Sequence, residues 1–72
     1  MEKNEVWINR DKSFEADEPW QRLMLIREVN GDEVIFSPAK ELIDGKVHFS
    51  PSAFQTDREF FKENCVIMGF GR

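Results

Sequence analysis

Short apolar segments separated by polar turns run along most of the chain. Val6-Trp7-Ile8 is a brief segment of this kind, and residues 22–29 are apolar at first and then alternate with charged residues. Cys65-Val66-Ile67-Met68 is a further apolar segment. Short runs rich in β-branched and aromatic residues are typical of strands rather than helices. The pattern therefore predicts a mainly β protein.

A first hairpin is predicted at Asn30-Gly31-Asp32, because these residue types adopt the positive φ angles of tight turns. A two-residue turn at the first two of them would place Glu28 opposite Glu33, a like-charge pair that costs stability. A longer loop would instead pair Val29 with Val34 or with Glu33. The sequence leaves these registers open.

A second hairpin is predicted at Ile43-Asp44-Gly45-Lys46. A two-residue turn there would set Leu42 beside Val47 on one face of the hairpin and Glu41 beside His48 on the other. The register thus joins one apolar pair and one polar pair.

Two apolar segments end in the same dipeptide, Ser37-Pro38 and Ser50-Pro51. Proline has no amide hydrogen to donate to a strand ladder, so each copy predicts the end of a strand. After the first copy, residues 38–42 fit either a helical turn capped by Ser37 or a short turn followed by a strand, and the strand is favoured. After the second copy, residues 50–54 predict one tight helical turn.

A short helix is predicted next, with Thr56 or Asp57 as its N-cap and with its end at Asn64. Phe60 and Phe61 would form its inner side. Because the two phenylalanines are adjacent, we expect only one of them to point fully into the core.

Length and composition favour one small domain spanning residues 1–72. Hydrophobic residues make up 40% of the chain, which is enough for a folded core. The single cysteine, Cys65, has no partner for a disulfide, and the first residues lack the apolar segment of an export signal, so we expect a cytoplasmic protein. The longest aliphatic run, Leu23 to Ile26, is too short to span a membrane.

The charge distribution disfavours nucleic acid as a partner. The formal net charge is −4, and the ten Lys and Arg residues are scattered along the chain rather than clustered in a basic stripe. Folding can still bring dispersed cations together on one face, so a nucleic-acid-binding barrel remains the alternative.

Residues that could carry chemistry are few. His48 and Cys65 are the only conventional base and nucleophile, and we expect an exposed histidine and a buried, inert thiol. One His and one Cys cannot complete a tetrahedral zinc site. The sequence therefore predicts no catalytic residue, no cofactor and no metal, and the protein is expected not to be an enzyme.

The densest charge in the protein lies in a predicted loop over residues 9–19. Its carboxylates are Asp11, Glu15, Asp17 and Glu18, and Trp20 follows directly after Pro19. The regular alternation and the central glycine of a calcium loop are absent. Two interpretations stay open, a solvated loop and an acidic rim that docks a basic partner.

Two tryptophans bracket this loop, Trp7 and Trp20. Either could be a large part of the core or an interface anchor, because Trp is enriched at binding hot spots. Trp20, which lies at the end of the loop, is the better candidate for an anchor.

The predicted order of strand, long acidic loop, two hairpins, helical turn and strand resembles a small SH3-like β-barrel. Val47-His48-Phe49-Ser50-Pro51-Ser52-Ala53-Phe54 is similar to the end of an SH3 domain, and the pattern over residues 6–61 is similar to small SH3-like proteins of unknown function encoded by phages and prophages. The chain has no tyrosine and no tandem tryptophan, so the resemblance implies this fold without the proline-peptide groove built from those aromatics.

Together these features predict a mainly β fold with a short C-terminal helix, arranged as a small SH3-like β-barrel. The resemblance implies a protein-binding module, for example a phage or prophage accessory protein that modulates a host component. The predicted partner-binding residues are Asp11, Glu15, Asp17, Glu18 and Trp20. The partner's identity is open, and so is the choice between a monomer and a homodimer, since edge strands can pair.

Overall fold

A computed structural model describes residues 1–70 of the chain. Within these residues the chain forms six strands, one 3₁₀ helix and one α-helix. The strands are β1 (Glu5–Asn9), β2 (Leu23–Asn30), β3 (Glu33–Ile43), β4 (Lys46–Phe49), β5 (Phe54–Asp57) and β6 (Cys65–Phe70); the 3₁₀ helix is Pro19–Arg22 and α1 is Arg58–Asn64. The mainly β prediction is confirmed, as is the short helix near the C-terminus.

The strands form one antiparallel sheet in the order β4-β3-β2-β1-β6. β3 is eleven residues long and has two partners along its outer side: β5 pairs with its first half and β4 with its second half. Over residues 1–70 the sheet does not close into a barrel. β5 pairs with β3 and β6 pairs with β1, so these two strands, which α1 connects, do not pair with each other. The SH3-like barrel is therefore not confirmed and stays a prediction.

The first hairpin adopts the register that pairs Val29 with Val34. Asn30 is opposite Glu33, so the turn is Gly31-Asp32, with Gly31 at a φ of 59°. An irregularity between Ile26 and Glu28 shifts the pairing, and Glu28 faces an isoleucine instead of Glu33. The like-charge pair that disfavoured the other register is thus absent.

The second hairpin has the predicted register, with Leu42 opposite Val47 and Glu41 opposite His48. Its turn residues Asp44 and Gly45 both have positive φ, at 52° and 76°. Positive φ at both central positions is the requirement of the two-residue turn that best matches the twist of a hairpin. The strand favoured for residues 38–42 is confirmed as well, but the short turn expected before it is absent, because β3 runs through these residues without interruption.

The prediction that a strand ends at Ser37-Pro38 was wrong, since β3 continues through both residues. The Pro38 carbonyl oxygen accepts a hydrogen bond of 2.8 Å from the Ser50 amide. The N–H and C=O of one strand residue point to the same side, so the missing N–H of Pro38 would face the gap between β5 and β4. No ladder bond is lost there, and proline is tolerated.

The helical turn predicted for residues 50–54 was also wrong. The chain bends at residues 51–52 and enters β5 at Phe54. Polar contacts hold the bend: the Ser52 amide donates to Ser50 Oγ at 3.1 Å, and Ser37 Oγ donates to the Ser52 carbonyl at 3.2 Å. Arg27 Nε donates in turn to Ser37 Oγ at 2.9 Å. These bonds offer the backbone an alternative to a helical turn.

Helix α1 forms as predicted. The Asp57 side chain caps it by accepting a hydrogen bond of 2.8 Å from the Phe60 amide, and its last residue is Asn64. Phe61 is fully buried whereas Phe60 is half-buried, as adjacency on the helix requires.

The core is centred on Phe61. It packs with the buried side chains of Met24, Ile26, Val34 and Cys65. The rings of Trp7, Phe36 and Phe60 lie edge-on to that of Phe61, with centroid distances of 5.6, 5.6 and 5.7 Å. Cys65 is buried and His48 is exposed, as predicted.

Candidate protein-binding face

The acidic loop between β1 and β2 is held against the sheet by Arg22. Its guanidinium donates to the carbonyl oxygens of Asn9 at 3.0 Å, Asp11 at 3.3 Å and Phe14 at 2.8 Å. It also lies over the Phe14 ring, 5.4 Å from the centroid. Arg22 therefore fixes the path of a loop that forms no strand or helix of its own over residues 10–18.

The 3₁₀ helix holds the C-terminal end of the loop through side-chain hydrogen bonds. Gln21 Oε1 accepts hydrogen bonds from the amides of Asp17 at 2.7 Å and Glu18 at 3.1 Å. The indole N–H of Trp20 donates to the carboxylate of Glu18. These contacts order the residues on both sides of Pro19 and hold the half-buried Trp20 ring in place.

An open depression of about 420 Å³ lies between this loop and β3. It is lined by Phe14, Glu15, Asp17, Trp20 and Gln21 from the loop side and by Ala39 and Lys40 from β3. The two carboxylates are exposed, and the Phe14 side chain is 37% exposed. We call this depression the Trp20 face; it brings together three of the five predicted partner-binding residues, Glu15, Asp17 and Trp20.

The other two predicted residues are placed differently. Asp11 and Glu18 line a second depression, of about 530 Å³, where they are mixed with the cations Arg10, Lys12 and Arg22. Asp17 borders both depressions. The carboxylates of that second depression are thus interspersed with positive charge, whereas Lys40 is the cation that lines the Trp20 face.

The Asp11 carboxylate has a local structural role. It accepts hydrogen bonds from the backbone and the hydroxyl of Ser13, at 3.0 and 2.9 Å. These two bonds lower the pKa of Asp11, with a smaller contribution from the charge of Arg22.

Phe14, which lines the Trp20 face, and Arg22, which holds the loop that carries this face, were both missed by sequence reasoning. Phe14 is the only aromatic residue inside the acidic loop, and that isolation is a signal that could have identified it. Arg22 carries no comparable signal, because its contacts depend on how the loop folds back.

The thiol and the imidazole lie in different surroundings. His48 is on the exposed side of β4, opposite Glu41. Cys65 begins β6 in the core, where burial, with a smaller contribution from the charge of Asp11, raises the pKa of its thiol to about 11. Over residues 1–70, no three His, Cys, Asp or Glu side chains come together as ligands of a metal ion would.

Neither helix of the described chain has the length and apolar character that crossing a membrane requires. In comparisons with known proteins, no protein-family model matches the chain, and neither a curated protein nor a solved structure shows significant similarity to it.

Proposed function

We propose that this protein is a non-enzymatic protein-binding module whose Trp20 face takes a short, extended, basic segment of a partner protein. The observation that carries the proposal is the position of two exposed carboxylates, Glu15 and Asp17, beside the Trp20 ring.

The chemistry of this face suits arginine and lysine side chains. Carboxylates attract the charged heads, and aromatic rings attract cations through their faces and cover the aliphatic stems. Trp20 supplies such a ring, and the exposed Phe14, over which the Arg22 guanidinium already lies, adds apolar surface beside it. Trp is also among the residues that contribute most to protein–protein binding.

The shape and the rigidity of the face support the same partner. The depression is open rather than enclosed, which suits an extended segment more than an enclosed small molecule. Arg22 and Gln21 hold the loop by five hydrogen bonds, so less conformational entropy is lost when a partner binds.

The cellular setting is part of the proposal. The lone buried thiol suits a reducing cytoplasm. The resemblance to phage and prophage proteins supports an accessory role in which the module contacts a host component; this step is an analogy between folds.

The test uses a fluorescently labelled peptide of alternating arginine and proline, which stays extended in solution. Its binding is followed by fluorescence anisotropy at about 0.15 M salt, where distant charges are screened. An alternating glutamate and proline peptide and a single-stranded oligonucleotide are the comparison ligands. We expect the arginine peptide to bind and the glutamate peptide not to bind.

Two double charge reversals then locate the face. Glu15→Lys with Asp17→Lys is compared with Glu59→Lys and Asp32→Lys, which border a separate depression near α1. Each pair takes the formal net charge from −4 to 0, because each of two reversals adds two charges. We expect the first pair to weaken peptide binding by roughly tenfold or more and the second by less than about twofold.

Trp20→Ala should weaken the same binding by about thirtyfold, the effect of a hot-spot tryptophan worth about 2 kcal/mol. Equal losses in the two charge-reversed pairs would mean that the peptide follows net charge rather than this face. Preferential, salt-sensitive binding of the oligonucleotide would favour the nucleic-acid alternative.

A further inference from the structure

Strand β6 lies at an edge of the sheet and is apolar throughout. Within residues 1–70 it pairs with β1 on one side, and no strand pairs with its other side. Three consecutive side chains on it, Val66, Ile67 and Met68, are 47%, 47% and 62% exposed. An exposed edge of this composition is a template for pairing with another strand.

Backbone geometry identifies which groups on this edge are free. The Arg10 amide donates to the Asn64 carbonyl at 2.7 Å, just before β6 begins. Opposed residues of antiparallel strands alternate between hydrogen-bonded and non-bonded pairs, so the Ile8–Val66 pair is bonded and the Trp7–Ile67 pair is not. The N–H and C=O of Ile67 therefore point away from β1, toward the open edge.

The other outer strands carry the charges that normally prevent edge pairing. β4 contains Lys46 and His48, and β5 is four residues long and ends in Asp57. From Cys65 to Phe70 the sequence has neither a charged residue nor a proline. A bulge at Met68 is the one irregularity of β6 against β1.

We infer that β6 pairs with β6 of a second copy of this chain, antiparallel around a two-fold axis at Ile67. The Ile67 N–H of each copy would donate to the Ile67 carbonyl of the other. Val66 of one copy would then lie opposite Met68 of the other, and Met68 opposite Val66, so every side-chain contact at the centre is apolar. A two-fold interface requires this kind of self-complementary surface.

Charge and area agree with this occupant. Because the strand is uncharged, a highly charged partner would gain no ion pair on it. The pairing uses one six-residue strand of each copy, so the buried area is small and lies at the low end for specific complexes. The dimer should therefore be weak and concentration-dependent. Since each copy carries −4, added salt should strengthen it.

The test is sedimentation velocity of the full chain from about 10 μM to about 1 mM, the range in which a weak dimer dissociates. Ile67→Lys is compared with Ile43→Lys, which has the same chemistry at a nearly equal exposure of 44% on another strand. We expect the wild type and Ile43→Lys to dimerise alike and Ile67→Lys to weaken dimerisation by roughly tenfold or more.

A wild type that stays monomeric throughout this range, or two variants that lose dimerisation equally, would overturn the inference. Amide hydrogen exchange tests the same pairing in the wild type alone, without a substitution that could disturb the fold. The Ile67 amide should exchange more slowly at high than at low protein concentration. An Ile67 amide whose exchange rate is independent of concentration would also overturn it. Arginine-peptide binding by Ile67→Lys reports on the Trp20 face separately, and it should be unchanged.

Discussion

The same three-residue pattern, Glu-x-Trp, occurs at both ends of the acidic loop with opposite consequences. In Glu5-Val6-Trp7 and in Glu18-Pro19-Trp20 the indole N–H donates to the glutamate two residues earlier. Glu5 is only 6% exposed, and Trp7 lies against the Phe61 ring at the centre of the core. Glu18 is exposed, and Trp20 borders an open depression.

The surroundings of each pattern explain the difference. Trp7 belongs to β1, which has β2 on one side and β6 on the other. Trp20 belongs to a single 3₁₀ turn at the entrance to β2. The same hydrogen-bonded pair of residues thus has two outcomes. Where strands flank it, the Trp ring packs on the core, and where no strand flanks it, the Trp ring stays accessible.

The largest expected effect separates the two tryptophans. Trp7→Ala should lower the free energy of unfolding by about 3–5 kcal/mol, because it removes a ring packed on the core. Trp20→Ala should lower it less, by about 1–2 kcal/mol, because its half-buried ring lies outside the core cluster. Urea denaturation of both variants measures these values. Equal losses would show that both rings belong to the core and would remove the basis for a binding role of Trp20.

The parts of the fold that local chemistry determines could be predicted from the sequence. Asp44-Gly45 and the two cross-strand pairs beside it all favour one register of the second hairpin, and the structure has that register. Asp57 caps the helix at the predicted place. In each case the deciding groups lie within a few residues of one another.

The parts that failed depend on distant neighbours. Pro38 is tolerated because its missing N–H faces a gap between two other strands. β5 has the sequence Phe-Gln-Thr-Asp, which shows little strand pattern, and it forms where the first half of β3 offers a free side. At the Trp20 face, the two carboxylates and Trp20 were predicted, whereas Lys40 joins them from β3 and Phe14 joins them because the loop folds back onto Arg22.

A smaller effect separates the two glutamates. Glu5→Ala should lower the free energy of unfolding by about 1–3 kcal/mol, because the half-buried indole N–H of Trp7 loses its acceptor. Glu18→Ala should change it by less than about 0.5 kcal/mol, since water can replace the carboxylate at the surface.

Chemical denaturation of the two single variants and of Glu5→Ala combined with Trp7→Phe provides the measurement. Phenylalanine has no N–H, so the cost of Glu5→Ala should shrink in the Trp7→Phe background. A cost that is the same in both backgrounds would mean that the carboxylate stabilises the fold by another route.

The smallest expected effect is a change in stability with pH, and it concerns Cys65, in the core near Trp7. Cys65 is part of the cluster against which Trp7 packs, and desolvation, with a smaller contribution from the charge of Asp11, raises the pKa of its thiol from the ordinary 9.0 to about 11. Between these two values the unfolded chain loses the proton while the folded chain keeps it, so the thiol's contribution to stability is complete below pH 9 and is lost as pH rises toward 11. The measurement compares the wild type with Cys65→Ala by urea denaturation from pH 8 to about 11, so that every effect other than that of the thiol is common to both proteins. The free energy of unfolding should fall more steeply for the wild type than for the variant. Parallel curves would show that the thiol titrates alike in both states, and would place Cys65 in contact with water rather than in the core that Trp7 covers.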